Sequence, residues 1–272
     1  MEIRIEPITD RVVTSELVRR CLVVLLLAAS GATLAAAQQI TVAAAADLNY
    51  TLTELAQRFE RTTGNKVTLS FGASGNLYSQ IANGAPFDLF FSADEEYPKQ
   101  LVAAGIAEAS SVKTYAVGHL VLWVPSSSQL DPAKLHMSTL TQPSVKRIAI
   151  ANPQHAPYGR AAMAAIDHYG LTGKLAGKLV FGENVSQAAQ FVQSGNAQAG
   201  LIALSLAMSP AMRSAGKYWE LPADAYPEFR QAAVIISSSR QKKAAAAFLD
   251  FVLSPEGAMV FKQFGLNPPA HP

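Results

Sequence analysis

The sequence predicts an α/β fold of two lobes, each a mixed sheet flanked by helices, facing one another across a cleft. Three observations point there. From Ile40 onward, short apolar runs alternate with stretches of helical period, the pattern of a sheet covered by helices. The alternation stops at a Ser-, Pro- and Gln-rich stretch ending at Pro143, then restarts as a second set. No period of about 20 to 50 residues is visible, which sets repeat architectures aside.

Each element follows from its residues. Residues 40–46 are a continuous apolar run and read as a buried strand. Residues 48–62 place Leu48, Leu52, Leu55 and Phe59 on one helical face and close at Gly64. Residues 67–71 and 89–92 read as further strands, and a short helix over 75–82 between them stops near Asn83-Gly84. Residues 116–124 read as one long apolar strand ending at Pro125. In the second set, strands over 147–151, 179–182 and 200–203 alternate with helices over 159–169 and 186–194. A strand over 231–236, a helix over 241–253 and a last helix complete the chain; that helix has Ser254 as N-cap, Pro255 in its first turn and Gly265 at its stop. Lobe I is expected to comprise residues 38–117 and 232–272 and lobe II residues 118–231, with crossings near 116–120 and 228–232.

The first 37 residues read differently. Arg19 and Arg20 precede an apolar run over 21–29, followed by small residues ending in Ala35-Ala36-Ala37. This is the layout of a secretory signal peptide, and the run is too short to span a bilayer. Residues 1–37 are therefore expected to be removed on export to the periplasm. Cys21, the one cysteine in 272 residues, lies in this segment, so the mature chain holds no thiol and no disulfide. Lys and Arg number 22 against 20 Asp and Glu, a net charge of +2 without the basic surplus of a nucleic-acid binder. A hydrophobic share of 50% excludes a disordered chain. The expected product is a monomer that binds no nucleic acid.

Four strand-to-helix junctions carry the chemistry. They are Ala45-Ala46-Asp47-Leu48-Asn49, Gly72-Ala73-Ser74-Gly75-Asn76, Pro157-Tyr158-Gly159 and Glu183-Asn184-Val185-Ser186. A helix start leaves backbone N–H groups unpaired and carries about half a positive charge, so it holds an anion without a basic side chain. Ligands in open α/β sheets sit beyond the carboxyl ends of strands, where these junctions fall.

The strings ITVAAAADL (40–48), SFGASGNLYSQIANGAPFDLFFSAD (70–94), NPQHAPYG (152–159), ENVSQA (183–188), AGLIALS (199–205) and SPEGAMVFKQFG (254–265) carry a resemblance. From residue 40 to about 267 the chain resembles the periplasmic molybdate-binding proteins of ABC transporters. The resemblance implies a type II periplasmic binding protein fold with its ligand in the interlobe cleft. It also implies capture of molybdate, together with tungstate, and delivery to a membrane permease. Molybdate is then cargo and not a cofactor; no cofactor is expected, and no side chain is expected to ligate the metal directly.

Position by position, the resemblance implies a hydroxyl and amide donor at Ser74 beside Gly75, a backbone donor at Val185, and a donor at Tyr158. Asp47 falls where many members have a ligand-binding Ser. A carboxylate aimed at a dianion repels it, so Asp47 is expected to cap its own helix while its backbone N–H, or the Asn49 amide, faces the ligand. Ala203 stands where some members carry a ligand-binding Tyr, and the Tyr158 hydroxyl is expected to replace that donor from the opposite wall.

Arg160, the one basic residue beside a junction, is expected to leave along the helix surface into solvent. The histidines at 119, 136, 155, 168 and 271 show no metal-ligand spacing. The alternatives are a binding protein for another oxyanion, such as sulfate, and a hydrolase using Ser74. The chain lacks G-x-x-x-x-G-K-[ST], H-E-x-x-H and G-x-S-x-G, which weighs against an enzyme.

Overall fold

The computed structural model describes residues 1–2 and 38–267; residues 3–37 of the expected leader, and His271, lie outside the described residues. The chain enters through β1 (Gln39–Ala45), a single 3-10 turn (Ala46–Leu48), α1 (Asn49–Thr63), β2 (Lys66–Gly72), α2 (Ser74–Ala82), β3 (Leu89–Ser92), α3 (Glu96–Ala103) and β4 (Lys113–Val117). It continues through β5 (Leu120–Pro125), β6 (Ile148–Ala151), α4 (Pro157–His168), β7 (Leu179–Gly182), α5 (Val185–Gln193), β8 (Ala199–Ala203) and β9 (Gly216–Glu220). It ends with β10 (Arg230–Ile235), α6 (Lys242–Val252) and α7 (Pro255–Gln263).

Two five-stranded mixed sheets result, ordered β2-β1-β3-β10-β4 and β7-β6-β8-β5-β9. In each, three strands run parallel and the fourth is antiparallel to both its neighbours. Both crossings leave an edge strand of one sheet and enter the antiparallel strand of the other. Helices cover both faces of the first sheet, which explains why β1 is a run of apolar residues without alternation: Ile40, Val42, Ala43 and Ala44 are all fully buried. Leu48, Leu52, Leu55 and Phe59 bury the inner face of α1 against this sheet, and Gly64 closes the helix at φ 76°. Ser254 caps α7, its Oγ accepting from the Gly257 N–H at 3.2 Å.

The structure corrects the sequence reading in four places. Residues 116–124 are not one strand: β4 and β5 belong to different sheets and break at Gly118-His119. A Cβ at Gly118 would lie 1.9 Å from the Phe229 ring, and its N–H donates to the Phe229 carbonyl at 3.0 Å, so the two crossings are bonded to each other there. Arg230 and Gln231, assigned by the sequence to lobe II, pair with Val117 and Ala116 in the first sheet. α3 escapes a pattern search because only Pro98 and Leu101 are buried, too few to form a stripe. β9 escapes because an edge strand with no fully buried residue shows no apolar face.

Candidate functional site

The four junctions meet. One small cavity is lined by Ala45, Ala46 and Asp47 after β1, Gly72, Ala73 and Ser74 after β2, Ala93 after β3, Ala156, Pro157 and Tyr158 at the start of α4, and Asn184 and Val185 at the start of α5. Its walls therefore come from both sheets. Its volume is about 10 Å³, room for roughly one water molecule. No Lys, Arg or His lines it among the described residues.

The positive character of this space comes from backbone. Ser74 and Val185 are the first residues of α2 and α5, and Tyr158 is the second of α4. N–H groups at these positions have no partner within their own helix, and three helix starts aim at one place. Ser74 is 1% exposed, and its Oγ accepts from the Ala93 N–H at 3.0 Å, which leaves its hydroxyl proton to donate elsewhere. Asn184 caps α5, its side chain accepting from the Gln187 N–H at 3.0 Å, and so fixes the backbone that presents Val185.

Asp47 departs from its expected role. Neither helix start beside it has a side-chain cap. Asp47 lines the cavity, and its Oδ2 accepts from Gln231 Nε2 at 2.8 Å and from the Tyr158 hydroxyl at 3.2 Å. Asp47 lies in a short 3-10 turn rather than at a direct strand-to-helix step, and its carboxylate reaches Gln231 and Tyr158 while its own backbone N–H also lies close to it. Burial raises its pKa to about 6, a shift that Gln231 and Tyr158 hydrogen bonds partly offset. Burial, then the nearby Asp47 charge, holds the Tyr158 hydroxyl far above its usual range.

Three further expectations change. The Tyr158 hydroxyl is engaged by Asp47, so this residue offers the cavity its backbone N–H. The Gly75 N–H donates to the His155 carbonyl at 2.8 Å and bonds the two walls together, away from the cavity. Asn49 lines an outer groove with Tyr50, Arg58 and Glu256, because its place two residues beyond Asp47 puts it past the turn; its N–H donates to the Ala46 carbonyl. Ala203 is fully buried and does not line the cavity.

The sequence reading missed Gln231 and Ser205. Gln231 Nε2 bonds both Asp47 and the Tyr158 hydroxyl, at 2.8 and 3.2 Å, and Ser205 Oγ donates to the Asp47 carbonyl at 2.8 Å. The available signal was a glutamine beginning an otherwise apolar strand, where a buried amide needs partners.

Residues 40–267 match the family described as bacterial extracellular solute-binding protein. The chain belongs to that family. It is 41% identical over 226 residues to the molybdate-binding protein ModA of Azotobacter vinelandii, covering 83% of this chain and 88% of that protein. It is 37% identical to ModA of Rhodobacter capsulatus, covering 83% and 87%. The solved periplasmic molybdate-binding protein of Azotobacter vinelandii superposes with a TM-score of 0.80 at 37% identity, over 85% of this chain and all of that one. The two-lobed binding-protein fold thus stands on both topology and likeness.

In this solute-binding protein Arg160 is not a free surface residue. Its guanidinium pairs with Asp94 from across the cleft, donates to the Tyr97 hydroxyl at 3.3 Å and lies 5.6 Å from the Tyr97 ring centre. The reason is Asp94: it is only 7% exposed, burial pushes its carboxyl pKa up, and Arg160 opposes that shift. Arg160→Ala is expected to weaken ligand binding by about two- to fivefold through faster release, the scale of one partly exposed ion pair. The check is the dissociation rate at low and high salt; an unchanged rate would show that the pair does not hold the cleft shut.

Proposed function

We propose that this protein captures molybdate, and tungstate, outside the cytoplasm and delivers it to the membrane permease of an ABC transporter. The observation that carries the reading is the cavity: helix starts from both sheets converge on a space lined by no cation among the described residues. Two ModA relatives, at 41% and 37% identity, support the same ligand. Residues 1–37 act as the export signal and are cleaved, and the mature chain works as a monomer.

A tetrahedral dianion offers oxygens that only accept hydrogen bonds. Fixed peptide N–H groups and the Ser74 hydroxyl supply donors, and such charge-assisted bonds are about twice as strong as neutral ones. Phosphate carries a proton at neutral pH, which donor groups leave unpaired. Sulfate carries none, so size rejects it: rigid walls stop closing where they meet the larger oxyanion, and sulfate is left with stretched bonds, each losing about 1 kcal/mol. The reading calls for binding, not catalysis. Among the described residues the hydrogen bond at Ser74 Oγ comes from a backbone N–H, and no side-chain base bonds it.

The cavity in this closed arrangement is smaller than an oxyanion, so loading requires the walls to part. The hinge for that motion is the pair of crossings at 118–119 and 221–229, between lobe I (38–117 and 230–267) and lobe II (118–229). The test is thermal unfolding of the mature chain with molybdate, tungstate, sulfate and phosphate. At a hundredfold excess over the dissociation constant, a ligand of the folded state adds about 2.7 kcal/mol, a rise of about 5–10 °C at this size. Molybdate and tungstate are expected to give that rise and sulfate and phosphate little; an equal rise with sulfate would overturn the size argument.

A further inference from the structure

We propose that Asp47 meets the bound oxyanion as a neutral carboxylic acid, so that capture is coupled to uptake of one proton by this side chain. The inference rests on the oxyanion reading of the cavity and adds its pH dependence.

The placement requires it. Asp47 is 1% exposed and lines the cavity, and Oδ2 is satisfied by Gln231 Nε2 and the Tyr158 hydroxyl. Oδ1 is buried and has no hydrogen-bond partner at all. A carboxylate oxygen in that state is costly, whereas a protonated one is a donor with somewhere to point. In the wall of a cavity built from N–H groups, the anion is the acceptor it lacks.

No nearby charge offsets a carboxylate here. The elements packed on Asp47 face it with the Tyr158 hydroxyl from α4, the Gln231 amide from β10, and the Ser205 hydroxyl on its backbone carbonyl. Tyr115 on β4 and Tyr226 beyond Tyr158 are the other titratable groups of this cluster; burial pushes both hydroxyls up, so they stay neutral. Asp94 lies near Tyr115, and its partner Arg160 is engaged with it. No cation bonds Asp47 among the described residues.

The proton balance is simple. Burial, even against the hydrogen bonds from Gln231 and Tyr158 that oppose it, already brings the Asp47 pKa to about 6. A dianion in the same cavity repels the charged form and raises it further, past neutral pH. A solvent proton then joins Oδ1, its O–H donates to a ligand oxygen, and the buried complex carries two negative charges instead of three. No covalent bond forms or breaks apart from the carboxyl O–H.

The experiment is titration calorimetry with micromolar molybdate at pH about 6 to 8.5, in buffers of differing ionisation enthalpy, for wild type and Asp47→Asn. Linkage of one proton makes wild-type affinity fall by up to tenfold per pH unit at the alkaline end. About one proton is expected to be taken up there, together with an infrared carbonyl band of a protonated acid in the complex. Asp47→Asn presents an amide donor at the same place and is expected to bind without proton uptake, with pH-independent affinity, and more tightly than wild type at pH about 8.

The unliganded protein gives a second readout. A carboxyl whose pKa is raised from 3.8 to about 6 on folding stabilises fully below 3.8 and loses that contribution as pH rises through about 6. Asp47→Asn is therefore expected to unfold at a higher temperature than wild type at pH about 8, with the advantage gone near pH 4. Tight wild-type binding with no proton uptake, or an Asp47→Asn variant with the same pH slope, overturns the proposal. If neither protein binds molybdate at any pH tested, the ligand reading itself falls, and this one with it.

Discussion

Ser74→Ala is expected to lower molybdate affinity by about ten- to a hundredfold, the worth of one hydrogen bond to a charged group. The Ser74 hydroxyl accepts from the Ala93 N–H, and its own proton is left to donate to a ligand in the cavity it lines. Removing it takes a donor from the ligand and leaves a buried backbone N–H unpaired, a penalty of about 1–3 kcal/mol. The variant should thus unfold earlier without ligand and also bind more weakly, and both are measured on the same sample. A lowered midpoint with affinity intact would place the ligand away from Ser74.

Gly75→Ala tests closure rather than contact. A Cβ at this position would lie 2.8 Å from the His155 carbonyl oxygen and 2.6 Å from the Tyr97 hydroxyl. The tyrosine can move, but the carbonyl is backbone, and it accepts the Gly75 N–H at 2.8 Å. One methyl group therefore wedges the two walls apart at the contact beside Ser74. Binding is expected to weaken by about tenfold or more, as a shared hydrogen bond is lost and the remaining donors stand too far from the ligand. Gly75 is the second residue of α2 and has helical backbone, where alanine is at least as favourable as glycine, so the midpoint without ligand should not fall much. Undiminished affinity would mean that the two walls need not approach this closely.

The site was legible in the sequence to the extent that it is built from backbone. Small residues at strand ends followed by helix starts form a local signature, and all four junctions marked by it line the same cavity. What depended on side-chain direction was not legible. Asp47 reads as an N-cap by residue type, but its direction is set by a 3-10 turn and by Gln231, which lies 184 residues away in sequence. Arg160 reads as a surface residue because Asp94, 66 residues earlier, becomes its neighbour only once the two sheets meet. The fold shows the same division. Buried strands and capped helices stood out, whereas the break at Gly118 was hidden because the residues on either side, Ala116-Val117 and 120–124, are apolar and only their partner strands differ.

The placement of β10 between β3 and β4 reaches back to how the protein is made. All strands of the second sheet lie between residues 120 and 220, so that half can assemble from one continuous length of growing polypeptide. The first half begins at residue 39 but cannot seal until residues 230–235 leave the ribosome, because its third and fourth strands touch only through that late arrival. The part synthesised first is thereby the last to lock, because its sheet is completed only by a strand made near the end of synthesis.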